Sequence, residues 1–416
     1  LSIPGTHPSH RAITPRYALA ALGLGACGLL LVGLASLAHT GVMVDEHLHY
    51  AQIASFHHGD GSLHPRITTF PTYHWLIAQA LAWAEAPIWQ QARWVSAASG
   101  LLLVIVAAAG FASRVHGDAR IGAQRAALVV LMPVLLPYIF LIYTDPLGLA
   151  LVLFAAWAAE VRRWWLAAAF IALAVAVRQT QIVWALWLVA LFAIREGPTL
   201  VARANWWPTL VRIAPLGMVL LAFAVFVVIN DGVAIGDRNA HPGDGLRDGN
   251  ILFLLFVAMA IFLPVHIAAA PAVIAMARRH PVACPVAAVG ICAWFAGGFQ
   301  VDHLFNLLPG HLHNDVAVWL ARPENRVLFA VPVAWTALSM FALLDRGLER
   351  WAWVAASLLA LAPHWMIEHR YGIVVLALWQ ILRRPLDPAS EWMLAIWVAG
   401  WGVAMLHLIR PGTYFL

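Results

Sequence analysis

Two adjacent carboxylates, Asp45 and Glu46, stand in the run VDEHLHY (Val44–Tyr50), followed by His57, His58, Asp60 and the run HPRITTFPTYHW from His64 to Trp75. Carboxylates at a low-dielectric boundary can have their pKa raised into the range where they act as general bases. The plainer reading of this cluster is the solvated start of a loop. Asp45, His47 and His49 alternate, which would put them on one side of an extended segment as conceivable metal ligands. Against that, no HExxH or equivalent helical spacing is present.

Four shorter motifs carry the other polar groups with chemical potential: YTDP (Tyr143–Pro146), VRQTQ (Val177–Gln181), VINDGVAIGDRNAH (Val228–His241) and IEHRY (Ile367–Tyr371). Each alone reads as a helix-end cap or a topology residue. Taken together they set Arg178 and Arg370 at the edges of apolar runs, where a phosphate or carboxylate partner is the economical explanation for a guanidinium. The segment Gln300–Arg326 mixes Asp302, His303, Asn306, His311, His313, Asn314 and Asp315 with Phe305 and Trp319, and ends with Glu324 between Arg322 and Arg326. That composition suits a sugar or lipid headgroup, or equally a plain surface loop.

The elements that must position these residues are membrane spans. Of 416 residues, 62% are hydrophobic and only 11% charged, so water is not the solvent for most of the surface. Apolar runs near 17 to 39, 95 to 113, 126 to 143, 146 to 161, 164 to 177, 182 to 194, 213 to 229, 251 to 276, 282 to 298, 327 to 344, 352 to 367, 371 to 382 and 392 to 409 predict an all-α polytopic protein with 11 to 13 crossings. The run from 17 is long and lacks a clear small-residue cleavage site, so it reads as a first span rather than a signal peptide. No polar block is long enough for a soluble domain, so residues 1–416 read as one membrane domain. Its long polar segments are 40–93, with Trp75, Trp83, Trp89 and Trp94 as interface anchors, and 299–326.

Loop arginines orient the chain. All 25 basic residues are Arg, and an inside N-terminus places 16 of them in inside loops: Arg11, Arg16, Arg114, Arg120, Arg125, Arg162, Arg163, Arg195, Arg203, Arg212, Arg278, Arg279, Arg346, Arg350, Arg383 and Arg384. The motifs above then share the opposite, non-cytoplasmic face. The net charge of +5 is accounted for by these topology arginines and does not call for nucleic acid. Cys27, Cys284 and Cys292 lie in apolar segments without zinc spacing and read as small buried hydrophobes. The absence of Lys and the abundance of Ala suggest a GC-rich, bacterial source.

VDEHLHYAQ followed by HPRITTFPTYHW resembles the MDE-x-x-H-x-x-Q and DP-x-ITT-x-PG-x-Y pattern of the asparagine-linked glycosylation α-1,2-glucosyltransferases, which use dolichyl-phosphate-glucose. The later motifs follow in the same order: YTDP resembles YTD, VRQTQIVW resembles FRQTNIIW, INDGVAIGDRNAH resembles VNGGIVVGDRSSH, LARPENRVLF resembles LADNRHYTF, and IEHRY resembles E-x-RY. The chain departs from the pattern at Thr72, which replaces a Gly, at His64-Pro65, which replaces DP, and in the longer PENR.

The resemblance implies a GT-C type membrane glycosyltransferase with its catalytic carboxylate in the first non-cytoplasmic loop. It implies glucose transfer with inversion from a polyprenyl phosphate to a glycan or lipid-linked oligosaccharide acceptor, in α-1,2 linkage. Such a displacement needs a base and cationic stabilisation of the departing phosphate. The expected base is Asp45 or Glu46, and the expected phosphate partners are Arg178, Arg370, His47 and Arg238. Thr68, Thr69, Tyr73, Asp145, Gln179, Asp237, Asn325 and Arg326 are expected to shape the donor and acceptor pockets. With arginines neutralising the phosphate, neither metal nor cofactor is required. The expected location is a bacterial inner membrane with a periplasm-facing site, or a lumen-facing site in the endoplasmic reticulum for a eukaryotic source. Other readings of the same residues are a transporter or flippase of a lipid-linked sugar, a non-catalytic subunit, and an enzyme of this type that places another sugar on a cell-envelope glycan.

Overall fold

The computed structural model describes residues 15–37, 40–43, 45–85, 88–200, 206–236, 245–308 and 314–409. All regular structure among them is helical. A helix crossing roughly 30 Å of hydrocarbon needs about 20 apolar residues. Among the described residues five helices meet that requirement: Trp89–His116, Gln179–Gly197, Trp206–Asn230, Pro323–Ala342 and Pro388–Leu408. A sixth does if Ala270–Arg279 and Ala283–Gly298, bent by 118°, count as one span. Shorter apolar helices such as Trp164–Val177, Gly249–Ile261 and His369–Leu382 complete a polytopic membrane protein.

Two stretches expected to run unbroken are interrupted, and proline is the reason. The run 251–276 forms three helices, Gly249–Ile261, Leu263–Ala268 and Ala270–Arg279, with Pro264 and Pro271 in the first turns of the second and third. Proline has no N–H to continue a preceding helix but suits the first turn of the next. The run 126–143 likewise becomes helix Ala119–Val130 and the single turn Leu136–Ile139, which carries Pro137. That break leaves Leu141, Ile142 and Tyr143 as buried, non-helical chain in front of the helix Asp145–Glu160.

The helix Ile373–Leu382 has every residue buried and lies within the largest apolar cluster, packed against Trp89–His116, Ala119–Val130 and Asp145–Glu160. Small residues of Asp145–Glu160, among them Gly148, Ala150, Ala155 and Ala159, are buried and allow close helix approach. Segment 40–93 packs closely against the bundle. Its two helices, Glu46–His57 and Thr72–Ala80, dock on the bundle through Ile53, Tyr73, Ile77 and Leu81, which meet Ala92, Ile142 and Val177. Of the four expected anchors, Trp75, Trp83 and Trp94 are exposed, whereas Trp89 lies half-buried with the Arg93 guanidinium 4.2 Å from its ring centre. Cys284 is buried as expected, but Cys27 is exposed.

Charge is segregated to the two ends of the bundle. Helix Asp145–Glu160 spans about 22 Å at 1.5 Å per residue. At its far end Glu160 binds Arg195 (2.7 Å) and Arg346 (3.0 Å), both of which also hold Glu349. Helix Ile373–Leu382 similarly separates Arg370 from Arg383, which shares Glu391 with the fully buried Arg125. Arg125, Arg195, Arg346 and Arg383, four of the arginines assigned to inside loops, thus lie at one end, and the YTDP, VRQTQ and IEHRY motifs meet at the other.

Candidate active site

Asp45 is the N-cap of helix Glu46–His57, so it lies on a helix start and not in an extended strand. Its backbone N–H donates to the Tyr143 hydroxyl at 3.3 Å, tying the first polar motif to YTDP. Its carboxylate is 31% exposed, with Oδ2 3.6 Å from Nη1 of Arg370. Arg370 lies on the 3₁₀ turn His369–Gly372, and its Nε is 2.6 Å from Oε1 of Glu368. Arg178 is the extended residue where helix Trp164–Val177 gives way to the turn Gln179–Gln181, and it is ion-paired with Asp145. Both guanidiniums lie 5.8 Å from the centre of the Tyr371 ring, so VRQTQ and IEHRY converge on one aromatic face. The two arginines therefore already have carboxylate partners, and an arriving phosphate would join or displace these.

The neighbouring carboxylates have contrasting surroundings. Glu46 is fully buried and accepts from Nε and Nη2 of Arg93, from the N–H of Met43 (2.9 Å) and from the N–H of Ile142 (3.0 Å). Arg93 also reaches Thr40 and Gly41, so this pair bolts the segment before helix Glu46–His57 to the helix Trp89–His116. Glu368 is also buried, yet neither of its oxygens makes a hydrogen bond, because the close Arg370 contact is misaligned. Burial pushes the Glu368 carboxyl up to about 7; Arg370 opposes the shift, and Asp45 and Asp145 add to it. Asp145 has one oxygen paired and the other, Oδ2, buried without a hydrogen bond.

Behind Asp45, helix Glu46–His57 turns His49 inward, where its Nδ1 meets Nε2 of His74 at 2.8 Å. Burial, aided by Arg370 and Arg178, pushes His49 down to about 3, and burial pushes His74 well below its usual range. Both imidazoles are neutral at physiological pH, and one donates to the other. The alternation of Asp45, His47 and His49 thus resolves on a helix, with His47 exposed and His49 buried. Among the described residues no three His, Cys, Asp or Glu side chains converge as a metal site.

The ITTFP loop is positioned by side chains distant in sequence. Gln179 donates to the Thr68 carbonyl (3.1 Å) and accepts from the Phe70 N–H (3.2 Å). Gln52 clamps the preceding turn by donating to the Ser62 carbonyl and accepting from the His64 N–H. From the other side the Ile235 N–H donates to the Thr68 carbonyl at 3.2 Å. Gly236, at φ +73°, follows with no room for a Cβ, which would lie 2.4 Å from the Ile67 carbonyl oxygen.

The remaining expected site residues divide into three groups. Thr69 is in this loop with its hydroxyl buried and without a hydrogen-bond partner, whereas Tyr73 is buried in the core, its hydroxyl 2.8 Å from Ser96. Asn325 and Arg326 start the helix Pro323–Ala342, where Asn325 donates to the Trp319 carbonyl and Arg326 to the Phe299 carbonyl. Asp237 and Arg238 lie outside the described residues, as do His311 and His313. Sequence reasoning passed over Arg93, Tyr143, Glu368 and Asn250. Asn250 accepts from the Glu368 N–H and donates to the carbonyls of His364 and Met366, fixing the approach to Arg370. Glu368 had a signal in IEHRY; Asn250, just before the apolar run 251–276 and outside every motif, had none.

This end of the molecule thus places one accessible carboxylate beside two guanidiniums and a cluster of tyrosines. Such a set can accept a proton from a hydroxyl while neutralising a phosphate. No curated protein and no solved structure matches the chain. The DIE2/ALG10 family profile matches residues 39–205 and 193–381, a stretch that includes Asp45, Asp145, Arg178, Glu368 and Arg370. The chain belongs to the DIE2/ALG10 family of membrane glucosyltransferases, which use dolichyl-phosphate-glucose to form α-1,2 linkages.

Proposed function

We propose that this protein transfers glucose, with inversion, from a polyprenyl-phosphate donor to a hydroxyl of a lipid-linked or cell-envelope glycan, and that Asp45 is the general base. The observation that carries the choice of base is the contrast between neighbours. Glu46 is enclosed by four donors, whereas Asp45 is 31% exposed and opens toward Arg370. The acceptor O–H proton passes to Asp45, the acceptor oxygen bonds to the anomeric carbon, and the bond from that carbon to the phosphate oxygen breaks. The phosphate leaves with the electron pair and is held by Arg370 and Arg178. Two guanidiniums supply the countercharge that a metal would otherwise bring, so transfer requires no metal ion.

The same reading assigns a GT-C architecture with between 11 and 13 crossings. It places the Asp45 end outside the cytoplasm, facing the periplasm of a bacterial inner membrane. Thr68, Thr69 and the Asp145–Arg178 pair are assigned to the walls of the donor pocket, His47 and Arg238 to binding of the donor phosphate, and Asp237 to substrate contact.

The test is sugar transfer by the nanodisc-embedded protein from radiolabelled polyprenyl-phosphate-glucose and, in parallel, from the matching nucleotide sugar. Transfer from the lipid donor alone, lost in Asp45→Asn, is expected. Transfer that survives Asp45→Asn refutes the assignment of the base. No use of lipid donors across several sugars refutes the transferase assignment for this chain.

A further inference from the structure

Next to the site, and built partly from the same chain segment, lies an open groove of about 490 Å³ that the transfer chemistry does not use. Its walls come from the start of helix Gly249–Ile261, the end of helix Ala283–Gly298 and the segment 362–367. We propose that this groove binds the neutral sugar residues of the acceptor glycan; the assignment rests on the transferase reading above.

The chemistry of the walls selects the ligand class. Asp302, 57% exposed, accepts from the Trp365 indole N–H at 2.7 Å and from Nη1 of Arg247 at 3.1 Å. The Arg247 guanidinium lies 4.4 Å from the Trp365 ring centre. Across the groove, Oδ2 of Asp248 accepts from the Trp294 indole N–H at 2.6 Å. Each carboxylate is therefore held in one orientation by a rigid indole while retaining lone pairs for a ligand. Fixed carboxylates accept from vicinal hydroxyls, Arg247 and Gln300 add donors, and the Trp365 ring offers apolar surface for sugar C–H groups.

Charge argues against the alternatives. The lining carries two carboxylates and one guanidinium, and that guanidinium already serves Asp302. A net negative groove repels a phosphate or nucleotide and accepts an uncharged polyol. The floor at Gly298 is bare: a Cβ there would lie 3.1 Å from Trp294 and 3.4 Å from Oδ2 of Asp248, in the path of any ligand reaching that carboxylate. The volume falls within the range of small-ligand pockets, roughly 300–1,000 Å³.

Position links the groove to catalysis. Ile367 lines it, and Glu368 and Arg370 are the next charged residues along the chain. Asn306 donates to and accepts from the Ile367 backbone, and Asn250 holds Met366 and Glu368, so a ligand in the groove rests on the segment that presents Arg370. His364 of this segment stacks on Tyr371 at 3.9 Å, the ring shared by both guanidiniums. A glycan anchored beside Trp365 thereby rests on the segment that carries Arg370, whose Nη1 faces the Asp45 carboxylate.

The experiment measures binding separately from transfer. Fluorescently labelled gluco- and manno-oligosaccharides, inorganic phosphate and calcium are titrated against nanodisc-embedded Asp45→Asn protein, with and without Asp302→Asn or Gln300→Ala. Saturable binding of a neutral oligosaccharide, weakened tenfold or more by either added change while the unfolding temperature holds, is expected. In the transfer assay on the otherwise native protein, Asp302→Asn should raise the acceptor KM tenfold or more, with a much smaller change in donor KM. Oligosaccharide affinity indifferent to both changes, or preferential binding of phosphate or calcium, overturns the proposal. Transfer by the native protein combined with an unchanged acceptor KM in Asp302→Asn overturns the groove and leaves the transferase intact. Absence of transfer refutes the transferase instead, and the direct titration still decides the groove.

Discussion

Glu46→Gln separates scaffold from chemistry at the point where the sequence leaves two carboxylates side by side. In the structure the Glu46 carboxylate accepts four hydrogen bonds, two from Arg93 and two from the backbone N–H groups of Met43 and Ile142. A glutamine keeps one acceptor oxygen and turns an NH₂ toward donors. Arg93, only 3% exposed, is left as a buried charge without its counterion. Breaking a buried pair in this way costs about 3–5 kcal/mol, which shifts the folded-to-unfolded ratio by more than about a hundredfold. Glu46→Gln should therefore lower the unfolding temperature of the purified protein in nanodiscs, and Glu46→Gln/Arg93→Met should recover part of the loss by removing the stranded charge. Asp45→Asn should unfold at the wild-type temperature and lower kcat by about 10²–10⁴, the range of a general base. If Glu46→Gln unfolds at the wild-type temperature while losing kcat as Asp45→Asn does, the division of labour between the two is refuted.

Three further outcomes follow from the same end of the molecule. Glu368 carries a pKa raised from near 4.5 to about 7, so between these values the folded state holds a proton that the unfolded chain has lost. Its contribution to stability declines as pH rises across that window. Its ionisation also adds negative charge beside the donor phosphate, so donor KM measured on either side of pH 7 should rise with pH, and Glu368→Gln should flatten the rise. Gly236→Ala should cost about 1–3 kcal/mol of local strain at its positive φ and press a methyl against the Ile67 carbonyl. Its kcat/KM should fall with little change in unfolding temperature, and a wild-type kcat/KM would show that the ITTFP loop position does not matter. For topology, with Cys27 replaced by Ser, Asp60→Cys should react with an impermeant maleimide added outside spheroplasts and Arg120→Cys should not. The reverse pattern would invert the assignment of the two ends.

How much was legible in advance depends on the range of the interaction concerned. The helix Trp164–Val177 follows the expected residues because a continuous apolar run bounded by Arg163 and Arg178 leaves no other choice in lipid. The run 251–276 does not, because Pro264 and Pro271 act locally against an apolar pattern that reads as continuous. The motifs converge in space: Asp45, Asp145, Arg178 and Arg370 come together. They could not separate Asp45 from Glu46, since that difference rests on Arg93 and Ile142, which lie 47 and 96 residues away from Glu46. Tyr73 shows the converse, a residue in a chemically suggestive motif whose hydroxyl is spent on Ser96 in the core.

What the sequence by itself determined was the solvent, the helical class, the gathering of arginines on one set of loops, and the motif order that marks the family. These depend on composition and on short stretches of chain, which lipid reads one span at a time. Only the tertiary structure decided which carboxylate opens to solvent, which glutamine is a clamp, and that Asn250, Asn306 and Trp365 join the segment before Arg370 to a groove. Those assignments depend on burial and on partners distant along the chain, and a polar side chain acquires its role from what surrounds it once the helices have packed.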